Sequence, residues 1–152
     1  MALTELEKLV EQQAIARTMY DYSYALDMNQ PDTLADLFVE DCEVSYAPNF
    51  GATGMEDYKK TLEGIGTFFT GTSHHNSNIV VDFVSATEAN VRSVVLAIHR
   101  YAKERPDGIL HGQYFDTMVK VGDRWKFKRR ELRTALTINY HVKTSNPIGR
   151  AE

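Results

Sequence analysis

The chain has a single cysteine, Cys42, in 152 residues. A disulfide framework or a thiolate metal cage needs at least two, so both are excluded. No apolar run approaches the roughly 18 residues that a spanning helix requires. Basic residues are in the minority: 17 Lys and Arg face 21 Asp and Glu, for a net charge of -4. With no basic cluster either, nucleic acid is not an expected partner. There is no phosphate-binding loop and no dinucleotide-type glycine fingerprint, so no nucleotide cofactor is expected. Five histidines are present, but only His74 and His75 are close in sequence, and neighbours on a strand point apart. Ligand spacing for a metal is therefore missing, and none is expected. Repeats and low-complexity segments are absent too. The N-terminal Met1-Ala-Leu-Thr-Glu-Leu-Glu-Lys is acidic and helical rather than a signal peptide. A cytoplasmic location, with no membrane association, is the default expectation.

What is present fits one soluble domain. The hydrophobic fraction is 43% and the charged fraction 25%, and a chain of this length buries about two thirds of its unfolded surface. Residues 4–27 read as a long helix. Thr4 suits its N-cap, with Glu7 as the capping-box partner. Leu9, Ala16, Met19, Ser23 and Leu26 make a stripe at helical spacing. Asn29 to Asp32 is a turn, and Pro31 suits the first turn of a short helix carrying Leu34, Leu37 and Phe38. Val44–Tyr46 reads as a brief strand, 48–54 as a loop and Met55–Gly64 as a third helix. Gly64, Gly66 and Gly71 then interrupt the chain. From His74 the period changes to two, predicting strands at 74–84, 90–103, 110–121 and 125–137 with hairpin connections. Helices followed by a four-stranded antiparallel meander make an α+β plan. If the sheet curves under the helices, it encloses a pocket suited to a small hydrophobic molecule.

Two segments carry the chemistry. Asp27 ends the first helix, and His74 opens the first long strand. A carboxylate bonded to one imidazole nitrogen fixes the tautomer and stabilises the cation. The other nitrogen is then a general base. Drawing a proton from carbon next to a carbonyl also needs a donor for the developing oxyanion. Tyr46, Tyr114 and His99 are the candidates.

Ala25-Leu-Asp27, Asp32-x-Leu-Ala-Asp-Leu-Phe-x-Glu-Asp41, His74-His-x-x-Asn78, Gly112-x-Tyr114-x-Asp116 and Trp125-Lys-Phe-x-Arg129 together resemble the SnoaL-like branch of the nuclear transport factor 2-like superfamily. That superfamily includes dehydratases, dehydrochlorinases, steroid isomerases, polyketide cyclases and oxygenase β subunits. The resemblance implies a cone-shaped α+β barrel over residues 1–140, a C-terminal tail at 141–152 and no cofactor. It places Asp27 where the dehydratases and dehydrochlorinases have the partner of a catalytic histidine, and His74 where they have that histidine. Tyr46 falls where a dehydratase tyrosine binds the substrate carbonyl through water, and His99 near a second pocket histidine. Leu26 replaces another pocket tyrosine, and Tyr114 stands where an asparagine is expected. The resemblance also implies assembly through the outer sheet face, as a homodimer or homotrimer.

Plainer readings stand beside these. Asp27 also suits a simple helix end, and His74 a structural histidine at a strand start. His99 shares a strand face with Val95, Ala97 and Tyr101. His75 points the other way, and His111 and His141, near element ends, read as solvated. Tyr20 and Tyr24 share a helix face that fits core or pocket rim. Asp116, on the strand face of Tyr114 and Met118, reads either as a buried acid or as an anchor for Arg129 or Arg133. Alternation and helical spacing offer Leu26, Tyr46, Phe50, Phe68, Phe69, Val95 and Met118 as pocket wall. Three functions stay open: a cofactor-independent lyase such as a dehydratase, an isomerase or cyclase using the same base, and a non-catalytic ligand-binding or oxygenase-subunit domain.

Overall fold

A computed structural model describes residues 2–150. Three helices come first: α1 (Glu5–Asp27), α2 (Pro31–Asp36) and, after two strands, α3 (Met55–Phe68). The strands are β1 (Phe38–Ala47), β2 (Phe50–Thr53), β3 (Phe69–Phe83), β4 (Glu88–Tyr101), β5 (Gly108–Val121) and β6 (Arg124–Ile138). They form one open sheet in the order β2-β1-β6-β5-β4-β3. The last four make the expected antiparallel meander. The sheet is nonetheless mixed, because β1 runs parallel to β6 and carries β2 as a hairpin. The loop expected at 48–54 is mostly that second strand, and β1 begins well before Val44. No helix is long and apolar enough to cross a membrane among the described residues.

The start of α1 follows from its residues. Thr4 Oγ1 accepts from the Glu7 backbone N–H while the Glu7 carboxylate accepts from the Thr4 N–H, a reciprocal capping box. Ile15, Met19 and Tyr22 then face the core. The first turns do not pack: Leu9, placed on the buried stripe by its spacing, is 60% exposed. That end is held by Glu11, whose carboxylate accepts from both Lys120 Nζ and Trp125 Nε1 at 2.6 Å. Tyr20 and Tyr24 point to solvent, 43% and 73% exposed, because Tyr22 lies on the opposite side of the helix from both.

Bulges decide which side chains face inward. In β3, Thr72, His74 and Asn76 share the inner face. The register then slips between Ser77 and Val80, where Asn78 has a φ of +52°, and Ile79, Val81 and Phe83 become the core-facing set. In β6 the register slips opposite Thr117/Met118 and again opposite His111/Gly112. The inward set therefore changes from Trp125 and Phe127 to Arg130 and Leu132. Asp116 consequently meets Arg130, not Arg129 or Arg133. The carboxylate takes Nε and Nη2 of Arg130 at 2.9 Å each, and both side chains are fully buried. Arg129 and Arg133 instead reach Glu131 on the other face.

Gly112 marks a close approach of two strands. A Cβ there would lie 2.7 Å from the Arg133 carbonyl oxygen, so no larger residue fits without moving the backbone.

Candidate active site

The C-terminal end of α1 lies against β3, and this brings Asp27 to His74. Asp27 Oδ1 accepts from His74 Nδ1 at 2.6 Å, and Oδ2 accepts from the His74 backbone N–H at 2.8 Å. Thr72, two residues back on the same strand face, donates its hydroxyl to Oδ1 at 2.8 Å. Burial alone would raise the Asp27 carboxyl. The bonds from the His74 ring and backbone, the His74 charge and the Thr72 hydroxyl outweigh it and hold the group below the usual carboxylate range. The His74 side chain is 8% exposed and that of Asp27 22%. In the neutral ring, with Nδ1–H committed to the carboxylate, Nε2 carries the lone pair.

His74 borders a cavity of about 510 Å³ between helices and sheet, within the range of small-molecule sites. Leu26, Tyr46, Phe50, Phe68 and Phe69 line it, as their spacing suggests, and so do Tyr114 and His99. Val95 and Met118 do not. They sit in the core at 1% and 0% exposure, and Met118 lies further along β5, opposite Phe127. Residues of the C-terminal tail fold back over the sheet: the Thr134 N–H donates to the Asn146 carbonyl at 2.7 Å, and Asn146 Nδ2 donates to Ser45 Oγ and to the Leu132 carbonyl. Tyr140 through Ser145 thereby become cavity wall. His141, read as solvated, packs there instead, its Nδ1 3.1 Å from the Tyr101 hydroxyl. His75 is exposed, as alternation requires.

The second cavity histidine differs from the first. The His99 ring stands edge-on to that of His74, centroids 5.3 Å apart at 89°. It has no carboxylate. Burial, with the charges of His74 and His141, lowers it to about 4 against a weaker opposing backbone contact at Gly108, so it is neutral near pH 7. Its Nδ1 is buried and has no partner among the described residues.

Tyr46 belongs to a ladder of phenols. Its hydroxyl lies 2.8 Å from that of Tyr22 and 3.3 Å from that of Tyr58. Burial pushes the hydroxyls of Tyr46, Tyr58 and Tyr114 well above the usual range, so they stay protonated and can donate. The Arg130 guanidinium lies under this group, 3.8 Å from the Tyr114 ring centre and 4.2 Å from that of Tyr22. Helical spacing around Met19 points Tyr22 inward; nothing local marks Tyr58 or the returning C-terminal segment. Among the described residues no three His, Cys, Asp or Glu side chains converge as a metal cage would require.

The SnoaL-like domain model matches residues 7–131. The chain belongs to the SnoaL-like domain family. Its fold is the nuclear transport factor 2-like α+β cone, here with the sheet left open. Among solved structures, a protein of Novosphingobium aromaticivorans provisionally named a scytalone dehydratase is 76% identical, with a TM-score of 0.96 over 98% of this chain and 100% of that one. A type 2 hexachlorocyclohexane dehydrochlorinase is 20% identical, with a TM-score of 0.82 over 97% and 100% of the two chains. A second Novosphingobium aromaticivorans protein, provisionally named an aromatic ring hydroxylase, is 19% identical, with a TM-score of 0.79 over 84% and 91%. The last two likenesses establish the shared fold alone. No curated protein matches the chain.

Proposed function

We propose that this SnoaL-like protein is a cofactor-independent lyase, a dehydratase in its simplest form, acting on a small cyclic or aromatic carbonyl compound. The observation that carries the reading is the 2.6 Å contact of Asp27 with His74 Nδ1, on an imidazole that borders the cavity. His74 Nε2 takes the proton from the carbon beside the carbonyl. The electron pair moves toward the carbonyl oxygen, where the hydroxyl of Tyr46, kept protonated by burial, supplies a donor. Asp27 stabilises the imidazolium meanwhile. As the pair returns, the bond to a β-hydroxyl breaks, and the His74 proton leaves with that oxygen as water. His74 is then neutral again, and the substrate has gained a double bond.

The likeness to a provisionally named scytalone dehydratase at 76% identity favours loss of water as the outcome. An isomerase or cyclase would use the same first step and differ in where the proton returns. A purely ligand-binding or subunit role has no need of a carboxylate-bound imidazole at a cavity wall. The test is proton–deuterium exchange at carbon next to a carbonyl, followed by mass spectrometry across a panel of cyclic and aromatic ketones in heavy water. Exchange that vanishes in His74→Ala supports the reading. Exchange that persists there would move the base elsewhere, with His99 the first alternative.

A further inference from the structure

The charge around this cavity runs opposite to that of the protein. The chain carries a net charge of -4, yet no Asp or Glu lines the cavity, while Lys60, Lys143 and three histidines do. The nearest acid, Asp27, is engaged by His74 and Thr72. Asp116, beneath the floor, is held by Arg130. Toward the C-terminal wall, Arg105 lies 4.2 Å over the Tyr101 ring, and burial, aided by Arg105 and Lys143, lowers His141. Neither cation has a carboxylate partner among the described residues. Lys60 reaches only Glu56, at 3.2 Å on the exposed helix surface. Thr137, Thr144 and Ser145 also line the cavity, whereas the Thr61 hydroxyl donates to the Gly51 and Asp57 carbonyls. The cavity wall is mostly apolar, and Lys60 and Lys143, both exposed, bring cations to its solvent side. A cleft edged by one sign of charge over apolar walls concentrates ligands of the other sign.

We propose that the substrate is an anion: a cyclic or aromatic carbonyl compound bearing a carboxylate, with the carboxylate at the Lys143 and Lys60 wall and the enolisable carbon at His74. The inference rests on taking this cavity as the substrate site. Lys143 and Lys60 act in it as specificity residues and touch no reacting atom.

Binding of 2-naphthoate and of its uncharged methyl ester, followed by ligand fluorescence at pH 7, tests it. The two probes share ring and size and differ in charge. At about 20 mM salt the acid should bind about five- to tenfold more tightly, the worth of one or two partly exposed ion pairs. At about 500 mM salt the gap should close, because the screening length falls to a few ångströms. Lys143→Gln, and more fully Lys143→Gln with Lys60→Gln, should narrow the gap at low salt. Equal affinity of acid and ester at low salt, or a gap that survives in the double variant, overturns the proposal. His74→Ala keeps the preference if it arises at the lysine wall. Preference without proton exchange on any carbonyl acid would end the lyase reading and leave the anion site standing. Exchange confined to uncharged ketones, without preference, would do the reverse.

Discussion

Asp27 holds His74 at two points, taking the ring Nδ1 on one carboxylate oxygen and the backbone N–H of the same residue on the other. The ring is thus fixed both to its own strand and to the end of α1. A rotation of the imidazole breaks one of these bonds, and a slip of β3 breaks the other. That double attachment suits a base that must present one nitrogen in one direction.

Asp27→Asn should lower kcat by about 10²- to 10⁴-fold, the usual worth of positioned proton transfer. Asparagine keeps the shape and loses the charge that stabilises the imidazolium. His74→Ala should fall at least as far, and His75→Ala should be silent because that side chain is exposed. Circular dichroism of the first two variants should stay close to wild type, while Asp27→Asn should melt somewhat lower, because the ionised carboxylate also stabilises the fold. Full activity in Asp27→Asn would remove the carboxylate from the mechanism.

Much of this geometry is legible in the sequence, and the boundary has a physical cause. Thr4 with Glu7 is a local pattern of residue type and spacing, whereas the pairing of Asp27 with His74, 47 residues apart, rests chiefly on the family resemblance. Leu26, Tyr46, Phe50 and Phe69 follow from helical and strand periods that hold within one element. Periodicity fails where a bulge inserts a residue. The slips in β6 bring Arg130 rather than Arg129 or Arg133 to Asp116. Met118 has the right parity and the wrong height along its strand. The parallel pairing of β1 with β6 and the return of Asn146 to Thr134 are long-range contacts with no local signature. His141 and Lys143 reach the cavity only through that return.

The fold should lose stability as pH falls from about 6.5 toward 4. The unfolded chain protonates His99 near its ordinary value of 6.5, whereas the folded chain does so only near 4. Between those values the unfolded state binds more protons, so stability rises with pH. The full gap is of the order of 3 kcal/mol. Asp27, held low in the fold, adds a loss of the same sign further into acid. Melting temperatures of wild type and His99→Asn between pH 4 and 7 check this. Equal acid limbs in the two proteins would show that His99 is not the group responsible.

Breaking the Asp116–Arg130 pair should cost about 3–5 kcal/mol, because the partner left behind is a buried charge without a counter-ion. Asp116→Ala strands Arg130 beneath Tyr22 and Tyr114. Replacing both residues, as in Asp116→Leu with Arg130→Met, should cost less than either single loss. Urea unfolding of the three variants measures it. Additive costs in the double variant would mean that the two side chains act independently.

The outer face of the sheet should bury itself against other copies of the chain. Val94 and Leu96 on β4 and Phe115 and Val119 on β5 are only partly covered in the single chain. Ile98, Leu136 and Ile138 are 39%, 52% and 51% exposed. Register places Leu96 opposite His111 and His111 opposite Leu136, so these side chains form a continuous surface, larger than isolated exposed leucines would make. Arg133 covers part of it by lying 4.0 Å over the Phe115 ring. A homodimer or homotrimer is expected, in which each copy offers this same face. Sedimentation at micromolar concentration should show the assembly. Leu96→Glu with Leu136→Glu should dissociate it, since each chain would bring two carboxylates into the contact, while the inner face and the Asp27–His74 pair stay untouched. A wild-type monomer under those conditions would contradict the prediction, and an assembly that survives both glutamates would place the contact on another surface.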